Sequence, residues 1–181
     1  MPRRPRTPRH LAVALPLLAL IGCSEPLPPA GIAGPAFDPI RFFTGHVTSW
    51  GVLEDRGGQP TAVVTTDCVG EADGDSALRM TQRLNIGADP QVTRTWAMRR
   101  TAPGRYEATA NDMVGTAVGE AGGRAFHWRW TLALSPGNPL KNVTMDQWWY
   151  LQDDGSMLNR TTIHKLGFIA AEVTEHFVPA R

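Results

Sequence analysis

Two arginines and two aspartates stand where charge is out of place. Arg94 shares the period-two set Val92, Arg94, Trp96, Met98 with apolar side chains, and Arg160 alternates with Leu158, Thr162 and His164. Asp112 alternates with Tyr106, Ala108, Ala110 and Val114, and Asp146 with Trp148 and Tyr150. If these sets face a core, the charges are buried and need partners, because an isolated buried charge is costly. Two roles are open for Arg94. It is either a strut, paired with Asp112 or Asp146 to pin strand register, or a guanidinium free to grip a ligand carboxylate or phosphate with two parallel hydrogen bonds. With the tryptophans on the same sets, the candidate ligand-binding residues are Arg94, Trp96, Asp112, Trp128, Asp146, Trp148 and Arg160.

Other chemistry is thinner. Asp73 and Asp75 flank Gly74, and Asp153-Asp154 precedes Gly155, which reads as turn chemistry rather than paired acid and base. The chain has no Gly-x-Ser-x-Gly elbow, His-Glu-x-x-His pair, phosphate loop or Cys-x-x-Cys. Its five histidines share no metal-ligand spacing on one strand face, so no metal, cofactor or catalytic residue is assigned. An enzyme built on this chain would have only Asp112, Asp146 or His46 as acid or base.

The elements that must position these residues are strands. Leu78, Met80, Gln82, Leu84 and Ile86 alternate with polar residues, and Phe126, Trp128, Trp130, Leu132 and Leu134 alternate with His127, Arg129, Thr131 and Ala133. Asp-Gly, Pro-Gly and Gly-Gly turns separate about ten such segments. They run from Arg41–Leu53 to Phe168–Val178, with the glycine-rich Gly115–Ala121 read as a bent strand. Connections this short force antiparallel neighbours, and a long meander must close or be covered to hide its edges. The expected fold is an all-β, antiparallel up-and-down barrel of the lipocalin-like kind, with an open half-barrel or β-sandwich as the alternative. A barrel of this size is wide enough for one small ligand. Consecutive Trp148 and Trp149 must point to opposite faces, so one lies outside or under a cover such as Phe37.

The N-terminus reads differently. Arg3, Arg4, Arg6 and Arg9 precede the apolar run Leu11–Ile21, a signal-peptide pattern too short to remain as a membrane span. Leu20-Ile21-Gly22-Cys23 resembles the lipobox of bacterial lipoproteins, an ordinary secretory signal with a chance cysteine being the alternative. The resemblance implies cleavage before Cys23, lipidation of that cysteine and a membrane anchor. Ser24 is not an inner-membrane retention aspartate, which favours the outer membrane, facing the periplasm. Residues 1–22 are thus expected to be the signal, 23–39 a Pro/Gly-rich tether extending about 3.1 Å per residue, and 40–181 one barrel domain. Loss of the four arginines moves the formal charge from +1 to −3, a poor match for nucleic acid. With Cys23 acylated, Cys68 has no intrachain partner and reads as a buried small side chain.

A longer string of motifs covers roughly Phe42 to Phe177. It comprises Trp50-Gly51-x-x-x-Asp55-Arg56, Arg94-x-Trp96, Ala110-x-Asp112-x-Val114-Gly115-x-Ala117-x-Gly119, Ala125-x-x-Trp128 and Asp146-Gln147-Trp148. Leu158-Asn159-Arg160, Lys165-Leu166-Gly167 and Glu172-Val173-Thr174 follow. Together they resemble the DUF3833 family of bacterial lipoproteins. Trp149 and Leu166 depart from it, standing where that pattern commonly has Met and Phe. The resemblance implies no established activity; it implies a proteobacterial lipoprotein, often encoded near lipid-modifying enzymes. Three readings follow. The first is a membrane-tethered barrel binding a fatty acid or other small amphipathic molecule. The second is a non-catalytic interaction or structural lipoprotein with a filled barrel, and the third a lipid- or envelope-modifying enzyme.

Overall fold

The structure, a computed structural model, describes Ile32 and residues 34–180. The signal, Cys23 and most of the stretch read as a tether lie outside the described residues. Ten antiparallel strands, each hydrogen-bonded to its sequence neighbours, form a closed barrel: β1 (Gly45–Asp55), β2 (Pro60–Asp73), β3 (Ala77–Ile86), β4 (Val92–Ala102), β5 (Arg105–Ala110), β6 (Met113–Gly122), β7 (Ala125–Ala133), β8 (Asn142–Leu151), β9 (Met157–Lys165) and β10 (Phe168–Pro179). β10 pairs back onto β1, Val47 opposite Pro179 and Asp55 opposite Ala171. Closure leaves no edge strand, and the alternative of an open half-barrel or sandwich is set aside.

Residues 41–43 are helical where the sequence suggested the start of a strand. A one-turn helix α1 (Pro39–Phe43) precedes β1, with proline at its start and the Asp38 carboxylate accepting from the Ile40 amide at 3.1 Å. Its Phe42 and Phe43, with Phe37 and Ile40, plug one end of the barrel. Phe37 packs edge-on against Trp149 at 6.1 Å, and its amide bonds to the Gly123 carbonyl at 2.8 Å. The fold thus takes up the last residues of the stretch read as tether. Around the plug stack Phe126, Trp128, Trp149, Tyr106 and Phe177.

The opposite end is different. Strand parity points Leu84, Ile86, Met113, Leu132 and Ile163 inward, yet all are only half-buried, so this end opens to solvent. β6 bends as expected, its register shifting between Val114 and Val118, where Gly115 adopts φ +75°. Gly119 lets the Phe126 ring approach so closely that an added Cβ would fall 2.4 Å from it.

Candidate functional site

Arg94 does point into the barrel, 7 % exposed. Its Nε donates to both carboxylate oxygens of Asp112, at 2.7 and 2.8 Å, and its guanidinium lies 4.8 Å over Trp130 and 5.6 Å from Trp96. Asp112 reaches this position because β5 is short. Beyond Ala110 the Asn111 side chain takes over the ladder, accepting from the Thr95 amide at 2.7 Å and donating to the Thr93 carbonyl at 3.3 Å. The next residue then turns inward. Since Nε alone makes the ion pair, both terminal guanidinium nitrogens are left without a hydrogen-bonding partner among the described residues. The side chain is a strut through its Nε, and its other two guanidinium nitrogens make no hydrogen bond among the described residues.

A continuous polar chain lines the facing wall. Gln147 Oε1 accepts from both Trp128 Nε1 and Trp130 Nε1 at 2.7 Å, and its Nε2 donates to Thr161 at 2.9 Å. Thr161 donates to Asn159, and Asn159 donates to Glu175 at 3.1 Å. Ser49 and Thr66 donate to the other Glu175 oxygen at 2.8 and 3.0 Å. Burial pushes the Glu175 carboxyl above the usual carboxylate range; its three donors and the Arg94 charge oppose that in part. The same burial pushes the nearby Cys68 thiol up to about 12, an unreactive buried cysteine.

Arg94, Gln82, Gln147, Asn159 and Glu175, with Trp96, Trp128, Trp130 and Trp149, enclose a cavity of about 40 Å³. That holds a few waters or one carboxylate-sized group, far short of the roughly 300 Å³ at which ordinary small-molecule pockets begin. A cavity for a whole ligand was expected from barrel size alone; the aromatic side chains fill it instead. A larger groove, about 1070 Å³, runs outside the barrel beside α1. It is open, and its Asp38, Arg100 and Tyr106 already bond one another, Arg100 to Asp38 at 2.6 Å.

Four of the seven candidates therefore meet: Arg94, Trp96, Asp112 and Trp128. Asp146, Trp148 and Arg160 do not, because they lie on the outer face. On β8 it is Val143, Met145, Gln147 and Trp149 that point inward, which turns Asp146 and Trp148 outward. Asp146 is held there by His127 at 2.7 Å and by Arg129, and Trp148 stacks on His127 at 4.1 Å. Arg160, exposed, pairs with Glu172 at 3.2 Å. His46 also faces out, against Asp67. It shares no cleft with Asp112 or Asp146, so the three nominees for acid–base chemistry are dispersed. Glu175, Gln147 and Asn159 were missed. The signal was there for Glu175, an acid between inward Val173 and Phe177 in the same kind of set that flagged Arg94.

This architecture defines a lipocalin-like β-barrel, closed at one end by a helical strap. Several solved structures share it, three of which are these. An S-type phycobiliprotein lyase CPES from Guillardia theta aligns with TM-score 0.57 and 8 % identity over 78 % of this chain and 90 % of that one. Rv2717c from M. tuberculosis gives 0.55 and 14 %, over 80 % and 99 %. A DUF3598-family protein of unknown function from Nostoc punctiforme gives 0.55 and 12 %, over 81 % and 51 %. At these identities the likeness is one of fold. The chain belongs to the family described as protein of unknown function DUF3833, which matches residues 17–178. No curated protein matches it by sequence.

Proposed function

We propose that this protein is a non-catalytic binding module for small amphipathic anions such as fatty acids, carried at the bacterial envelope by lipid on Cys23, in the outer membrane facing the periplasm. The observation that carries the binding reading is Arg94, which lines the cavity and stacks on Trp130, its two terminal guanidinium nitrogens solvent-reachable and without a hydrogen-bonding partner among the described residues. A carboxylate or phosphate is the group that fits such a nitrogen pair bidentately. The chamber accepts only the head. The chain of the ligand then lies along Leu84, Ile86, Met113, Leu132 and Ile163, the half-buried apolar residues at the open end. This orientation puts the polar end innermost and the tail toward solvent.

Trp96 and Trp130 flank the guanidinium, so head-group binding changes intrinsic fluorescence. The chain from Pro35 to Arg181 contains the whole barrel and its plug and serves as the test protein. Decanoate should perturb its fluorescence saturably, and decanol, equal in length but uncharged, should bind at least tenfold more weakly. Arg94→Met combined with Asp112→Asn removes the cation and its bonded counter-ion together, and Glu175, which loses the Arg94 charge, keeps its three neutral donors. That variant should fold and lose the preference for decanoate. Equal binding of acid and alcohol, or a preference that survives the double substitution, refutes the assignment.

A further inference from the structure

The open end carries a second feature that ligand binding does not explain. Two neighbouring loops project large apolar side chains into solvent: Leu134 and Leu140 between β7 and β8, and Leu166, Phe168 and Ile169 at the β9–β10 turn. Leu140, Leu166 and Phe168 are 77 %, 81 % and 77 % exposed. These are built tips. Asn138 accepts from the Leu140 amide at 3.2 Å, Pro139–Lys141 forms a turn of 3₁₀ helix, and Lys165 Nζ donates to the Leu140 carbonyl at 2.8 Å, tying one loop to the other.

The β9–β10 turn is also strained. Lys165 pairs with Phe168, so Leu166 and Gly167 form a two-residue hairpin loop, with φ of +50° and +84°. That is the left-handed geometry of a type I′ turn, whose first position favours Asn, Asp or Gly. A leucine there sacrifices backbone comfort to hold an apolar side chain almost fully in water. Backbone strain of this kind points to a use for the side chain.

Charge names the partner. The only lysines of the whole chain, Lys141 and Lys165, flank these two tips, whereas the acids of this end, Glu54, Asp55, Asp89 and Glu172, sit on the neighbouring loops and on the strands behind the tips. Apolar side chains at the apex of rigid loops, with lysines one residue behind, match the layering of a bilayer surface. The apolar groups reach the acyl boundary and the ammonium groups stay among anionic head groups. We propose that the paired β7–β8 and β9–β10 tips dock the open end of the barrel onto an anionic phospholipid surface. The tips lie at the end of the barrel opposite α1, and the test uses a chain without Cys23. The contact also stands without the ligand reading.

The test is co-sedimentation of the Pro35–Arg181 chain, which carries no acyl group, with phosphatidylethanolamine vesicles with and without phosphatidylglycerol. The wild-type chain should pellet with the phosphatidylglycerol vesicles. Leu166→Asn with Phe168→Ser should weaken that association at least tenfold, and Lys141→Glu several-fold. Leu166→Asn alone should raise the melting temperature while weakening association, a pair of opposite signs that a purely structural role would not produce. Arg94→Met with Asp112→Asn should pellet like wild type, which separates this proposal from ligand binding. A wild-type chain that stays in the supernatant at both compositions overturns it, as do tip variants that pellet undiminished. Vesicle association lost with the Arg94 pair would route it through the barrel interior and overturn it equally. Self-association abolished by the tip variants, without vesicle binding, would assign the tips to a second copy instead.

Discussion

Glu175 is a carboxyl whose ionisation burial opposes. Its partners Ser49, Thr66 and Asn159 are neutral, and burial holds its carboxyl above the ordinary range. The unfolded chain releases this proton first as pH rises, so it binds fewer protons than the folded one. Stability therefore falls as pH rises from the ordinary carboxylate range through the raised folded value, and the loss is complete above it. Glu175→Gln removes this dependence. Gln Oε1 can still accept from Ser49 and Thr66, and its amide can donate to Asn159 once that side chain flips. Urea unfolding across the acidic-to-neutral range should show a wild-type decline that the variant lacks. A variant less stable by the same amount at every pH would mean that Arg94 compensates the charge fully. At this scale the sequence revealed Arg94 and Asp112, a charge in each of two otherwise apolar sets. It concealed that Arg94 would use only its Nε for Asp112, because that depends on how far the Asn111 turn brings the carboxylate inward.

Among the elements, α1 shapes the site by filling what would otherwise be a hollow end. Its last residue lies against β2 at Gly70, where an added Cβ would fall 1.9 Å from the Phe43 carbonyl oxygen. Gly70→Ala must lift the strap and should cost about 1–3 kcal/mol, as overpacking typically does. Phe37→Ala leaves a void among Phe42, Phe126 and Trp149 and should cost about 3–5 kcal/mol. Thermal melts check both. If Gly70→Ala melts like wild type, the strap is not seated on β2. The helix escaped the sequence reading because five residues carry too little periodicity to separate Pro39–Phe43 from the strand beyond. On β8 the alternation itself was ambiguous. Both of its faces carry aromatics, and only pairing with β7 and β9 chose Trp149 for the interior.

The whole molecule is a barrel with two unlike ends, one plugged by aromatics where the chain enters, the other open, apolar and flanked by lysines. If the chain is anchored as proposed, Cys23→Ala abolishes labelled palmitate incorporation and leaves an unprocessed or soluble product. Equal labelling of this variant refutes the anchor. Ser24→Asp should move the protein toward the inner membrane under enteric-type sorting; a distribution that ignores it removes the outer-membrane assignment alone.

Strand number and antiparallel order were legible in the sequence, and closure was its preferred outcome, with an open half-barrel or sandwich as the alternative that the β1–β10 pairing removed. Period-two alternation and two-residue turns are local properties, and short connections allow only one neighbour order. Arg94 was legible for the same reason, as was the buried Cys68. Tertiary structure decided the rest. Whether the barrel is hollow depends on summed side-chain volumes from ten strands and a strap, which no local pattern reports. Which side of β8 faces inward depends on register with two other strands. That Glu175, Asn159, Thr161 and Gln147 join into one network depends on barrel curvature bringing β8, β9 and β10 to the same wall. Parity along a strand tells which residues share a face; only closure of the sheet tells which face is inside.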